Sequence, residues 1–209
     1  LISVLVGGAA FAEEGPYVAG FAGLASFPDA GFDQDVADPD YASGDLSLEY
    51  GFDLNGAIGY DLGGILIEAQ IGRAAGGTDT LSFPDATAPF DSAETDGDVS
   101  IVYGMVNGWI EIPTEGPITP FVGGGIGYAS LSIDTAFTLG SNNGIDSSDT
   151  VFAYQIGAGA TYALSETNML AVRYRYLTTG DGDFTDNEDT AISAGLSAHI
   201  FDVGVRFSF

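Results

Sequence analysis

The stretch FDVGVRFSF, residues 201 to 209, decides the fold. Phe201, Val203, Val205, Phe207 and Phe209 share one parity, and Asp202, Gly204, Arg206 and Ser208 share the other. Successive side chains of an extended chain point to opposite faces, so this stretch is a strand with one apolar face and one polar face. The same period recurs in separate segments along the 209 residues. The length suits one all-β domain. Hydrophobic residues make up 45% of the chain, yet no run reaches the roughly 18 to 20 uncharged apolar residues that a membrane-spanning helix needs.

Eight alternating segments are legible, at 16–27, 48–60, 64–75, 99–112, 118–132, 151–164, 168–178 and 194–209. The clearest is 48–60, where Leu48, Tyr50, Phe52, Leu54, Ile58 and Tyr60 oppose Glu49, Gly51, Asp53, Asn55, Ala57 and Gly59. In 64–75, Ile65, Ile67 and Ile71 oppose Leu66, Glu68, Gln70 and Gly72; in 99–112, Val102, Val106, Ile110 and Ile112 oppose a mixed row of Tyr103, Met105, Asn107, Trp109 and Glu111. Segments of about 11 to 16 residues exceed the usual five or six of soluble sheets and suit tilted membrane strands. The connections alternate long (28–47, 76–98, 133–150, 179–193) and short (61–63, 113–117, 165–167). Bacterial membrane barrels show this rhythm, with short periplasmic turns and long extracellular loops. In hydrocarbon every backbone N–H and C=O must be paired inside the protein, so an open sheet edge is excluded and the first and last strands must meet. The expected fold is an all-β, eight-stranded, antiparallel, up-and-down transmembrane β-barrel. Tyr17, Tyr60, Trp109, Tyr128, Tyr162, Phe207 and Phe209 lie near segment ends and are candidates for interfacial aromatic belts, with plain strand propensity as the competing reading.

The opening LISVLVGGAAFA ends on Ala10-Phe11-Ala12, a small-x-small pattern followed by Glu13 and Glu14. Residues 1–12 read as the remainder of a secretory signal peptide, with a buried strand as the alternative, and 13–209 as the barrel. No residue follows Phe209 in this sequence, so no appended periplasmic domain is expected. Cysteine is absent, which removes disulfides and thiolate metal sites. The net charge is −26, from 30 carboxylates against four arginines and no lysine. Nucleic acid is a poor partner for such a chain, because affinity for phosphates comes from Lys and Arg.

These residues resemble the small outer-membrane β-barrel proteins of Gram-negative bacteria, which include OmpA-like and OmpX-like eight-stranded barrels and porin-family surface antigens. The resemblance spans residues 13–209 and is carried by VNGWIEI (106–112), PFVGGGIGYA (120–129), AYQIGAGATYAL (153–164), RYRYLTTGDG (173–182) and VGVRFSF (203–209). It implies a site in the bacterial outer membrane, contact with outer-membrane lipid and lipopolysaccharide, and assembly by the outer-membrane insertion machinery. The outward row Phe201, Val203, Val205, Phe207 and Phe209 looks like the signal that machinery reads. The chain departs from the family where Asn107-Gly108-Trp109-Ile110-Glu111 stands in place of an Asn-x-Tyr-Tyr-Asp-like run, and in its acidity.

Three of the four arginines, Arg173, Arg175 and Arg206, fall on the inward parity with Asp53, Glu68, Glu111 and Asp202. An eight-stranded barrel is just wide enough for its own side chains to fill it, so these seven form an expected lumen charge network. Expected pairs join Glu68, Arg173, Arg206 and Asp202 low in the barrel, and Asp53 with Arg175 higher up. In one reading the network plugs a non-catalytic barrel with a structural and surface-display role. In a second it gates a narrow passive channel, wetted around the inward glycines, whose conductance Glu68→Ala would raise. A third reading, a soluble lipocalin-like carrier, would place the apolar rows inside. Twenty of the thirty carboxylates fall in the long connections, an oxygen-rich setting suited to divalent cations bridging to anionic headgroups. DGDFTDNEDT (181–190) lacks the ligand spacing and turn Gly of a calcium loop, so no dedicated metal site and no cofactor are expected. A lone histidine, His199, on the outward parity leaves no catalytic constellation, and no enzyme is expected.

Overall fold

The computed structural model describes residues 14–28, 30–34, 43–48, 50–82, 92–137, 143–180, 182–185 and 191–209. The stretch read as a signal remnant, 1–12, lies outside the described residues. Twelve strands follow one another: β1 Gly15–Ser26, β2 Ala30–Gln34, β3 Ser43–Leu48, β4 Tyr50–Asp61, β5 Ile65–Ser82, β6 Ser92–Glu111, β7 Ile118–Phe137, β8 Asn143–Ala163, β9 Asn168–Thr179, β10 Gly182–Thr185, β11 Ala191–Ala194 and β12 Ser197–Ser208. Eight of them, β1, β4, β5, β6, β7, β8, β9 and β12, pair antiparallel with their neighbours in turn. The ring closes where β12 pairs with β1, from Tyr17 opposite Ser208 to Ser26 opposite His199.

Register fixes the tilt of the wall. A walk from Ala160 in β8 passes through Val172, Val203, Ala22, Leu54, Arg73, Val102 and Ser130, each opposite the next. It returns to β8 at Thr150, ten residues from its start. A stagger of this size over eight strands inclines them by about 40° to the axis.

Four of the barrel strands, β5 to β8, run well past their periodic segments. β6, β7 and β8 run 20, 20 and 21 residues, and pairing continues out to Ser82 opposite Ser92 and Phe137 opposite Asn143. Above the ring, β10, β11, β2 and β3 pair in that order and join the outer part of β5. The described parts of the four long connections therefore carry strands where loops are expected from the sequence. Alternation does persist there, as in Ser43–Leu48, but interleaved Asp and Gly give it the composition of loop.

The two faces obey the parity of the sequence. Outward residues include Phe52, Leu54, Ile58, Ile71, Val106, Ile126 and Ile156, all well exposed, whereas the row from Asp53 to Asp61 on β4 is turned inside. A soluble carrier would show the reverse. Tyr60, Tyr162, Phe207 and Phe209 are exposed toward the end carrying the short turns, and Tyr50, Phe52, Tyr128, Phe152 and Tyr154 toward the other. Tyr17 and Trp109 depart from the aromatic-belt expectation. Each is 2% exposed, on inward parity, because each has a polar atom that finds an acceptor inside.

Candidate functional site in the lumen

The interior is stacked in three levels. At the short-turn end, Arg206 from β12 pairs with Glu111 from β6 (Nη1 to Oε1, 2.9 Å), and its guanidinium carbon lies 5.4 Å from the centre of the Tyr17 ring. Asp61, at the end of β4, accepts the backbone N–H groups of Gly63 and Gly64 on Oδ1 at 2.9 and 3.0 Å. Both glycines have positive φ, 82° and 100°, so this carboxylate holds a turn that most residues could not form.

The middle level is a polar lattice. Glu68 of β5 accepts from Tyr17 Oη (2.9 Å), Trp109 Nε1 (2.9 Å) and Asn107 Nδ2 (3.0 Å), with Arg173 Nη1 3.8 Å away. Arg173 donates from Nε and Nη2 to the two oxygens of Asp202 at 2.9 and 3.1 Å, and from Nη2 to Asn55 Oδ1 at 2.9 Å. Its guanidinium carbon stands 3.4 Å from the centre of the Phe21 ring, a stacked arrangement that suits the planar cation. Arg175 reaches Asp202 Oδ2 from Nε and Nη2 (3.0 and 2.8 Å), Asp53 Oδ1 (2.8 Å) and Gln155 Oε1 (2.9 Å). Tyr103 closes the set by donating to Asp53 Oδ2 at 2.7 Å. Amides thread between the charges: Gln155 Nε2 donates to Gln70 Oε1 and Asn107 Oδ1, Asn107 Nδ2 to Gln70 Oε1, and Gln70 Nε2 to Asn55 Oδ1.

The outer level is apolar. Val99, Ile101, Leu131, Leu177, Leu196 and Ile200 are at most 1% exposed and pack with Ala25, Ala74, Ala129, Ala153 and Ala198. Strand segments above the middle of the barrel thus build a dry layer of the kind found in a soluble core.

All seven residues expected in the charge network lie inside the barrel at 5% exposure or less. Arg175 meets Asp53, and Arg173 meets Glu68 and Asp202. Arg206 differs from expectation: its partner is Glu111, not Glu68 or Asp202, because four residues along a tilted β12 drop it a level below Asp202. Asp61, which the sequence places in a short turn, is a further interior carboxylate, and its parity with Asp53 is the signal that could have found it. The apolar layer is a second feature that sequence reasoning missed. Ile101, Met105, Val151 and Ala153 stand on the inward rows, but the expectation of a polar lumen hides their meaning.

The inward glycines do not leave room for water. A Cβ at Gly125 would strike Asn107 Oδ1, one at Gly123 the Trp109 ring, one at Gly59 the Tyr17 ring, and one at Gly159 the Phe121 ring. Each is a seat for a neighbour's large side chain. Among the described residues no cluster of three or more His, Cys, Asp or Glu has metal-binding geometry. His199 lies on the outer surface, its Nδ1 2.7 Å from Tyr174 Oη.

Comparison with known proteins agrees with this geometry. A family model described as an outer membrane protein beta-barrel domain matches residues 1–209. The outer membrane protein PagN of Salmonella typhimurium is 27% identical over 146 residues, covering 65% of this chain and 59% of that protein. An uncharacterised protein of Brucella abortus is 29% identical over 143 residues, 56% of this chain and 50% of its own length. The chain therefore spans little more than half the length of these relatives. Among solved structures, OprG from Pseudomonas aeruginosa superposes with a TM-score of 0.64 at 11% identity, over 93% of this chain and 96% of that one. Neisserial surface protein A gives 0.56 at 18% identity, over 93% and 97%. The outer membrane protease OmpT from Escherichia coli gives 0.53 at 8% identity, over 95% and 97%. At these identities the likeness is one of fold.

Proposed function

The chain belongs to the outer membrane protein beta-barrel family and resides in the bacterial outer membrane, and from that premise we propose that it is a filled, non-catalytic barrel serving envelope integrity and surface display. One observation carries the reading: an apolar layer and a fully engaged polar lattice lie in series across the same lumen. A solute path would have to break both. Ions face a layer of described residues dominated by Val99, Ile101, Leu131, Leu177, Leu196 and Ile200, whose aliphatic side chains cannot replace their hydration, and apolar solutes face buried charges.

The lattice supplies rigidity. Buried ion pairs add little net stability against an apolar isostere, but they disfavour alternative packings in which any one charge loses its partners. The scaffold so fixed carries the strands above the ring and the acidic segments between them, 20 carboxylates in all. These are a surface suited to ions or to cationic partners, with divalent cations bridging to anionic headgroups. The outward row of β12 from Phe201 to Phe207, with Phe209 just past its end, is the segment offered to the insertion machinery.

Planar-bilayer recording of the refolded protein tests the reading. The expected result is a silent membrane at physiological salt, with the refolded state verified by heat-modifiable migration in detergent. Discrete conductance steps from folded protein would favour the narrow channel.

A further inference from the structure

Arg73 is the one arginine that the barrel turns outward. It lies on the exposed row of β5 with Ile65, Ile67 and Ile71, opposite Leu54 of β4 and Val102 of β6. The other three arginines are each 4% exposed or less and engaged by carboxylates. The Arg73 side chain is exposed and makes no ion pair with a described carboxylate. Its place on the lipid-facing row sets it apart from the three interior arginines.

Its level in the wall indicates what surroundings this cation meets. A residue on a strand tilted by about 40° advances about 2.5 Å along the axis, so the eight steps from Ile65 raise Arg73 by about 20 Å. The apolar band of such barrels is about 25 Å tall, and a cation on the lipid-facing side is costly at its centre and tolerated near its edges. Phe52 and Tyr50, the next two outward residues beyond Leu54 on β4, are 74% and 84% exposed and mark that edge with aromatic rings. The long Arg stem spans the remaining distance and delivers its head to the headgroup layer. This edge is the one opposite the short turns, hence the outer leaflet.

We propose that Arg73 is a docking point for a phosphate group of lipid A, the membrane anchor of lipopolysaccharide. A planar guanidinium holds a phosphate by two parallel N–H···O contacts and leaves no proton to lose. The outward neighbours Leu54, Ile71 and Val102 present an apolar surface against which the acyl chains of the same lipid lie. The remainder of the molecule is strongly anionic, so this side chain supplies attraction where the loops supply repulsion.

Native mass spectrometry of the refolded barrel in neutral detergent reads the number and affinity of bound lipids. Bisphosphorylated lipid A, lipid A stripped of both phosphates, and phosphatidylglycerol serve as probes, against wild type, R73A and R73K. Wild type is expected to bind bisphosphorylated lipid A at least about tenfold more tightly than the stripped form. R73A loses most of that preference and R73K retains part of it. Equal affinity of wild type for the two forms overturns the proposal without recourse to any variant. So does an unchanged preference in folded R73A, or equally tight binding of phosphatidylglycerol, which would make the site a general anion contact. None of these outcomes bears on whether the lumen conducts.

Discussion

Asp202 is the residue on which the middle of the lumen converges, since both Arg173 and Arg175 donate to it and no other described residue accepts from both. Its replacement by Ala strands two guanidiniums that are themselves 3% and 0% exposed. Breaking a buried pair by removing one partner costs about 3–5 kcal/mol. D202A is therefore expected to lower the stability read from urea unfolding of the refolded protein by that order, and D202N by less, because an amide oxygen still accepts one donor. A midpoint within error of wild type for D202A would show that the lattice is not cooperative. Asp202 was legible in the sequence, since FDVGVRFSF puts it on the polar parity of β12, and so was the meeting of Arg175 with Asp53. The partner of Arg206 was not. Parity names a face, but the stagger between strands sets the level on that face, and the stagger depends on register that no single strand contains.

Within β6 and β7 two kinds of glycine occur, and the difference between them is steric. Gly125 lies under the Asn107 side chain, whereas Gly104 and Gly108 face outward, and a Cβ added at either would meet nothing within 4 Å. G125V is expected to abolish heat-modifiable folding, or nearly so, while G104V leaves it intact and, by removing backbone freedom from the unfolded chain, does not reduce stability. Equal effects from the two substitutions would mean that the packing inside does not set the close approach of these strands. The eight barrel strands were visible from alternation alone. The strands above them were not, because Asp and Gly set between Leu, Phe and Ile carry the composition of loop while the backbone continues to pair. For β12, F207A combined with F209A is expected to slow assembly into outer-membrane vesicles by about tenfold or more while leaving the melting of assembled protein nearly unchanged; equal assembly rates would remove the insertion role from that row.

For the molecule as a whole, the series arrangement of lattice and apolar layer makes a specific statement about loss of either. Glu68→Ala empties a polar niche but leaves Ile101, Leu131, Leu177 and Ile200 closed above it. The expected recording is as silent as wild type, which differs from the rise in conductance that a gate at Glu68 would produce. Steps in E68A but not in wild type would restore the gate. The sequence could not resolve this, because polar inward residues are equally consistent with a path and with a lattice until their partners are known. The circuit from Ala160 to Thr150 has one more outcome. A slip of two residues at the junction of β1 and β12 would preserve every side chain's face while changing the girth of the cylinder, so facing alone does not choose among narrower and wider gauges. What chooses is the cargo of side chains within, which acts as a mandrel around which the wall is wound. Thinning that cargo should therefore first produce a tighter tube, and a leak only after the tube has no more slack to take up.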